Sequence, residues 1–138
     1  MQANVAHARA PLDSPAMAGF TSQVDEVTAW AQLSPGFIRE PTLSDEGTIY
    51  RPPLLLNVTI WASVEDLDAF VHTDPHSRAL SKREEWFVQD HVPNYVLYWS
   101  PKDHEPTEKE IDERLNHLRR HGPSESAFTF DQRFHRPS

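Results

Sequence analysis

Apolar and polar residues follow one another along four short stretches of the chain in the way that is typical of β-strands. Asn4–Ala8 and Phe37–Pro41 are the first two predicted strands, and Tyr95–Trp99 is the fourth. Leu54–Trp61, the third, gives the clearest pattern, since it is long, apolar and rich in β-branched residues. Such a composition favours a central position in a sheet.

Steps of three and four between apolar residues predict an amphipathic helix after the first strand. This helix begins near Ser14, where Pro15 fits the first turn because its missing N–H has no partner there. It ends at the turn residues 34–36. Its apolar stripe comprises Met17, Phe20, Val24, Val27 and Ala31.

Three further helices are predicted from their start and stop signals. Ser63 caps the second helix, and Asp74-Pro75 ends it because proline disfavours helical geometry at the residue before it. A third helix is predicted from His76 to Phe87. The last begins at a capping box formed by Thr107 and Glu110.

The predicted order of elements is therefore β-α-β-β-α-α-β-α. A split β-α-β antiparallel sheet with its helices on one face accounts for this order, so the predicted fold class is α+β. The length of 138 residues fits a single domain. We expect its core to span about residues 3–121, followed by a C-terminal tail over 122–138.

Side chains alternate across a strand, so the third strand divides its residues between two faces. One set is aliphatic: Leu54, Leu56, Val58 and Ile60. The other set is Leu55, Asn57, Thr59 and Trp61. The aliphatic set suits a helix layer, whereas the polar and aromatic set has the composition of a ligand-lined face. We expect two copies of the chain to meet at this second face as a homodimer that encloses a cavity.

Composition and charge exclude several classes of function. The chain has no cysteine, which excludes thiolate metal sites and cysteine nucleophiles and fits a cytoplasmic protein. Its net charge of −8 opposes nucleic-acid binding. No apolar run is long enough to cross a membrane. Only four glycines are present, and none forms a nucleotide-binding loop, so no metal, flavin or nicotinamide cofactor is expected.

Six segments carry a family resemblance: RAPLDSPAMAGF, SPGFIRE, LLLNVTIWASVEDLDAFV, HSRALSKREEWF, YVLYWSP and LRRHGPSESAFTF. With them, almost the whole chain resembles a family of small bacterial proteins known as a domain of unknown function. That family belongs to the dimeric α/β-barrel, ferredoxin-like superfamily, alongside antibiotic-biosynthesis monooxygenases. The resemblance implies a ferredoxin-like domain that pairs into a dimeric α/β barrel. His72 departs from the family, in which an aromatic, tyrosine-like residue is expected.

Some monooxygenases of this superfamily form quinones without a cofactor, and the chain is similar to them at one short motif. They use an Asn and a Trp four residues apart on a barrel strand, and an Arg about twenty residues later. Asn57 and Trp61 match the first two residues. Arg83 is a near match to the third, with Arg78 on the other side of the same position.

Four residues are candidates for catalysis, each with a structural alternative. Asn57 and Trp61 could hold a developing oxyanion through their N–H groups, or lie in an interface and a core. Arg83 could attract an acidic substrate, or pair with carboxylates on a helix surface. His76 could act as a general base near neutral pH, or cap a helix. The candidate substrate-binding residues are Leu55, Thr59, His72, Trp86, Phe87, Tyr95 and Trp99.

Three functions remain open from the sequence. The leading hypothesis is a cofactor-independent monooxygenase acting on a small aromatic or polyketide-type intermediate of natural-product biosynthesis. The second is a redox-neutral cyclase or isomerase on the same scaffold. The third is a non-catalytic protein that binds a small hydrophobic ligand or haem. Neighbouring genes, oxygen consumption and a haem absorption band would separate the three.

Overall fold

The architecture was obtained as a computed structural model, which describes residues 1–9, 13–51, 54–73, 86–88, 94–101 and 103–134. Four strands form one antiparallel sheet in the order β2-β3-β1-β4. The strands are β1 (Gln2–His7), β2 (Phe37–Arg39), β3 (Leu54–Trp61) and β4 (Tyr95–Leu97). The predicted bounds of β3 and its central position are confirmed. β2 and β4 are shorter than predicted.

One face of the sheet is aliphatic. Ala3 pairs with Val58 on one side and with Val96 on the other, so these three side chains share a face, which we call the aliphatic face. The last helix, α3 (Glu108–His121), covers it. Its buried stripe comprises Ile111, Leu115 and Leu118. The spacing of that stripe fits a helix lying on a flat apolar surface.

The opposite face carries Leu55, Asn57, Thr59 and Trp61, and we call it the polar-aromatic face. Two helices pack on it: α1 (Ala18–Leu33), which follows a 3₁₀ turn at Pro15–Met17, and α2 (Val64–Val71). One end of the face is an apolar cluster that contains Leu55, Met17 and Phe20. The other end is a cluster that contains Trp61, Ala31, Leu67 and Phe70.

The prediction that all helices lie on one face is therefore wrong. α3 has an apolar stripe of its own and buries it on the aliphatic face, so α1 and α2 pack on the face that was expected to be free of helices. An open sheet buries apolar area on both sides when each side has an amphipathic helix available. The homodimer was expected because this face would have no helices. Since α1 and α2 pack on it, that reason no longer holds, and the homodimer stays a prediction.

Local capping signals are confirmed at two helices. Ser63 Oγ accepts a hydrogen bond from the backbone N–H of Asp66 at the start of α2. Thr107 Oγ1 accepts from the N–H of Glu110 at the start of α3. The predicted helix from 76 to 87 lies almost wholly outside the described residues. Within it, Phe87 forms a bridge with Ala8 beyond the end of β1.

A reciprocal pair of carboxylates fastens the connection between β2 and β3 to α3. Glu108 is 1% exposed, and its carboxylate accepts three backbone N–H groups, from Gly47, Ile49 and Tyr50. Asp45 accepts the backbone N–H groups of Glu108 and Lys109 in return. The hydrogen bond from Glu108 is the largest cause of the lowered pKa of Asp45.

None of the helices in the described part of the chain combines the length and the apolar character needed to cross a bilayer.

Candidate functional site

Four side chains on the polar-aromatic face form a hydrogen-bonded row. The indole N–H of Trp61 donates to the hydroxyl of Thr59, with 2.9 Å between Nε1 and Oγ1. Gln2 is paired with Thr59 across the sheet, and its side-chain NH₂ donates to the same hydroxyl at 2.9 Å. The same NH₂ donates to Oδ1 of Asn57 at 3.3 Å. We call these four residues the polar row.

Within the polar row, the side-chain oxygens of Thr59 and Asn57 accept hydrogen bonds from the other members. The Thr59 hydroxyl accepts two hydrogen bonds, so its remaining capacity is to donate its own proton. The Asn57 carbonyl accepts from Gln2, which leaves the NH₂ group as the free end of that amide. Asn57 is exposed, whereas Thr59 is only 7% exposed. An oxygen atom bound on this face would therefore meet an N–H at the open end and an O–H further in.

Trp61 supports the row from within the core. Its side chain is buried between Phe37, in edge contact at 5.4 Å between ring centroids, and Phe70, stacked at 5.2 Å. Its N–H donates to the hydroxyl of Thr59, so in this structure it is engaged within the polar row. In this arrangement the Thr59 hydroxyl accepts from Trp61 and from Gln2, and the predicted catalytic role of Trp61 stays a prediction.

One aromatic wall lies at the Leu55 end of the row. The ring of Phe20 meets Trp86 and Phe87 edge-on, at 5.6 Å and 4.9 Å between centroids. Gly19 lets Trp86 approach the start of α1, since a β-carbon there would lie 3.2 Å from the indole ring. Three predicted substrate-binding residues, Leu55, Trp86 and Phe87, therefore come together in one cluster.

The other predicted aromatic residues, Tyr95 and Trp99, are covered by the C-terminal tail. The indole N–H of Trp99 donates to the carbonyl of Phe134 at 2.8 Å, and the N–H of Phe130 donates to the Tyr95 hydroxyl at 3.3 Å. The rings of Tyr95 and Phe130 pack at 5.7 Å. Tyr95 and Trp99 thus contact the tail in this structure, and their predicted role in binding substrate stays a prediction.

The space left beside Trp61 and Trp99 is small. A cavity of about 20 Å³ is lined there by both indoles together with Leu97 and Phe128. Such a volume holds about one water molecule. Phe128 also exchanges two backbone hydrogen bonds with Leu97, so the tail is a further strand-like edge of the sheet. In the described residues, Asn57 is the exposed member of the polar row.

His72 lies apart from the polar row. Its side chain is 76% exposed, and its Nδ1 lies 2.8 Å from the backbone oxygen of Asp68 at the end of α2. The predicted base His76 and the predicted cation Arg83 fall outside the described residues, so their roles stay predictions. Among the described residues, no group of three or more His, Asp or Glu side chains is placed to hold a metal ion.

Gln2, a member of the polar row, and Gln23, a partly buried amide of α1, were missed in the sequence. Gln2 precedes the predicted start of the first strand at Asn4, yet it completes the polar row. Gln23 lies on α1 between Phe20 and Val27, and its Oε1 is buried with no hydrogen-bond partner among the described residues. A signal was available for Gln23, since it is an amide on the stripe of α1 that runs from Phe20 to Val27.

A second polar network lies outside the polar-aromatic face. The hydroxyl of Tyr98 donates to Glu110 at 2.7 Å, and His104 Nε2 lies 2.7 Å from the other oxygen of the same carboxylate. Burial, followed by the hydrogen bond to Glu110, raises the pKa of Tyr98. The guanidinium of Arg114 lies over the Tyr98 ring at 4.7 Å. This network ties the end of β4 to α3.

Comparison with known proteins gives a family and no further relatives. A family model described as "Domain of unknown function (DUF3291)" matches residues 1–138, so the chain belongs to that family. No curated protein matches the chain, and no solved structure matches it.

Proposed function

We propose that this member of the family is an enzyme that binds a small aromatic ketone or phenol at the polar row and oxidises it with dioxygen, without a cofactor. The observation that carries the proposal is the hydrogen bonding of Thr59. Two internal donors fill its acceptor capacity, which orients its own proton, and that of the neighbouring Asn57 amide, toward a ligand oxygen. Donors fixed in this way stabilise negative charge where it develops.

The proposed chemistry needs a base, an oxyanion cradle and dioxygen. A base removes a proton from a methylene group that is conjugated with a ring ketone, and the charge moves to the ketone oxygen, held by Asn57 and Thr59. The resulting enolate gives one electron to O₂, and the two radicals join in a C–O bond as a peroxide. Loss of water then breaks the O–O bond. In sum, CH₂ and O₂ become C=O and H₂O.

His76 is the proposed base, because imidazole is half-protonated near neutral pH. Arg83 is the proposed cation that attracts an acidic substrate. The strand order β2-β3-β1-β4 supports a ferredoxin-like sheet, the scaffold that the family resemblance implies. The similarity to the quinone-forming monooxygenases itself rests on the motif of Asn57 and Trp61. A homodimer that covers the exposed Asn4 and Asn57 is part of the proposal, since excluding water strengthens the effect of fixed donors.

Oxygen uptake with anthrone as the probe tests this function. We expect one O₂ consumed for each anthraquinone formed, after dialysis against a chelator and with no added cofactor. Asn57→Ala should lower kcat about 10²–10³-fold, as for loss of one donor in an oxyanion site. Thr59→Ser, which keeps the hydroxyl, should retain most of the activity, and Lys109→Ala, on the exposed side of α3, is the control.

Two results would overturn the proposal. One is anthrone turnover by Asn57→Ala at the wild-type rate in a folded protein. The other is wild-type protein that accelerates no anthrone oxidation above the rate in buffer. Conversion of a candidate substrate without oxygen uptake would instead favour the cyclase or isomerase hypothesis.

A further inference from the structure

Two histidines lie on one side of the last turns of α3. His117 and His121 are four residues apart, and side chains at this spacing lie one above the other on a helix. Their imidazole rings are in contact, with 4.8 Å between ring centroids and 51° between ring planes. His117 is half-buried and His121 is exposed, so water and ions reach the pair.

The nitrogens of these two rings have no competing partner among the described residues. His72 and His104 differ in this respect, because His72 Nδ1 lies 2.8 Å from a backbone oxygen of α2 and His104 Nε2 lies 2.7 Å from the carboxylate of Glu110. Neither His117 nor His121 has a hydrogen bond or an ion pair with a described residue. Two adjacent imidazoles with free lone pairs are a chelating group for a metal ion.

The distance between the rings matches that of two ligands of one ion. A ring nitrogen binds Zn²⁺ at about 2.0–2.1 Å, and the nitrogen lies about 1.2 Å from the centre of its ring, so each centre would lie about 3.2 Å from the ion. For ligand angles of about 90–110°, the two ring centres would lie about 4.5–5.2 Å apart. The observed separation of 4.8 Å falls within this range.

We propose that His117 and His121 chelate one divalent transition-metal ion, with water in its remaining positions. Imidazole suits Cu²⁺, Ni²⁺ and Zn²⁺, and Cu²⁺ should bind most tightly of the three, whereas Mg²⁺ prefers oxygen ligands. The carbonyl end of a helix carries partial negative charge, which favours a cation there. Arg119 and Arg120 share the turn and oppose a cation, so binding depends on the nitrogen ligands.

This site is separate from the polar row and does not depend on the proposed function. α3 covers the aliphatic face, whereas the polar row lies on the opposite face of the sheet. Loss of the metal should therefore leave any activity at the polar row unchanged.

Copper binding to the whole chain tests the proposal, followed by titration calorimetry and by electron paramagnetic resonance. The probe is Cu²⁺ alone. We expect the tightest-bound ion to bind once per chain and to show coupling to two nitrogens. His117→Gln and His121→Gln should each lower the affinity about tenfold or more, because a second ligand on the same helix acts at a high effective concentration. His7→Gln, which removes an exposed histidine of β1, is the matched control and should keep the affinity.

Stability provides a second readout. An ion that binds the folded chain raises the urea midpoint, so Cu²⁺ should raise it in the wild-type protein and raise it less in each of the two variants. Circular dichroism without metal checks that both variants fold.

Four outcomes would overturn the proposal. Unchanged copper affinity in both variants is the first, and an equal loss in His7→Gln is the second. The third is Mg²⁺ binding as tightly as Cu²⁺. The fourth is one ion for every two chains together with a dimer in sedimentation, which would assign the remaining positions to a second copy and not to water.

Discussion

The two faces of the sheet are built on different principles. On the aliphatic face, one continuous cluster joins Ala3, Val58 and Val96 to α3, and the buried carboxylate of Glu108 is fully engaged by backbone N–H groups. On the polar-aromatic face, Asn57 and Thr59 of the polar row lie on β3 between two apolar clusters, one containing Leu55 and the other containing Trp61. There Asn57 is exposed and the oxygen of Gln23 is buried without a partner in the described residues.

This difference shows which face contributes more to stability, and it supports the proposal that the other face carries the function. A continuous apolar contact stabilises the fold with every methylene that it buries. A polar strip between two such contacts stabilises it less, and leaving an amide unpaired has a cost. Proteins keep such departures from good packing mainly at functional sites. The aliphatic face is therefore the more continuously packed side of the sheet, and the polar-aromatic face is the side on which we propose the function.

The sharpest contrast should come from truncating one side chain on each face. Leu115→Ala removes a side chain that is 1% exposed on the aliphatic side, and it should lower the free energy of unfolding by about 2–5 kcal/mol. Asn57→Ala removes an exposed amide and should change it by less than about 1 kcal/mol. Urea denaturation followed by circular dichroism measures both. Equal losses would show that the two faces share the stabilising role.

Glu108→Gln tests whether the aliphatic side depends on its buried carboxylate. The amide would have one oxygen for three backbone donors, and its NH₂ would face an N–H. We expect a loss of about 2–3 kcal/mol in the free energy of unfolding, because hydrogen bonds to a charged group are among the stronger ones. Glu113→Gln, at an exposed position of α3, is the matched control. A loss no larger than that of the control would contradict this account.

Two glycines allow a comparison between the two faces of the sheet, since Gly36 lies against α2 and Gly47 donates a hydrogen bond to Glu108 of α3. Gly36 and Gly47 both have φ +85°, where a side chain is strained by about 1 kcal/mol or more. A β-carbon at Gly36 would also overlap the side chain of Asp66, which accepts a hydrogen bond from Ser63 at the start of α2. A β-carbon at Gly47 meets nothing within 4 Å. Gly36→Ala should therefore lower the urea midpoint further than Gly47→Ala. A larger loss for Gly47→Ala would show that contact with Asp66 does not decide the cost at Gly36.

The smallest expected effect is a pH dependence on the aliphatic side. The pKa of Asp45 is lowered below its ordinary value of 3.8, so its ionised form stabilises the folded chain. Above that value the stabilisation is fully present, and it is lost as the pH falls through the lowered pKa. Asp45→Asn should thus be less stable than wild type at pH 7, and the gap should close as the pH falls below about 4. A gap that persists at low pH would assign the effect to packing.

The parts of the fold that depend on local chemistry could be predicted from the sequence. The bounds of β3 follow from its run of apolar and β-branched residues, and Ser63 and Thr107 cap helices because their hydroxyls reach a nearby N–H. The choice of face for each helix could not be predicted in this way. α3 and α1 both carry apolar stripes, and only the packing of the whole chain decides which face each one covers.

The same limit applies to the candidate site. Alternation along β3 was sufficient to place Asn57, Thr59 and Trp61 on one face. It could not show that Trp61 gives its N–H to Thr59, since that depends on the rotamers of both side chains. Gln2 was missed because pairing with β3 and β4 extends β1 beyond the residues that its own pattern favours.

The central claim is that the polar-aromatic face donates hydrogen bonds to a ligand oxygen, and the carbonyl stretching frequency of bound anthraquinone tests it most directly. Infrared difference spectroscopy with a ¹³C-labelled carbonyl isolates this band. We predict a lower wavenumber in the wild-type complex than for the free quinone in an aprotic solvent, because hydrogen-bond donors polarise the C=O bond. Asn57→Ala should move the band back toward the free value, and Lys109→Ala should leave it in place. A band that lies at the same wavenumber in the wild-type and Asn57→Ala complexes would contradict the claim.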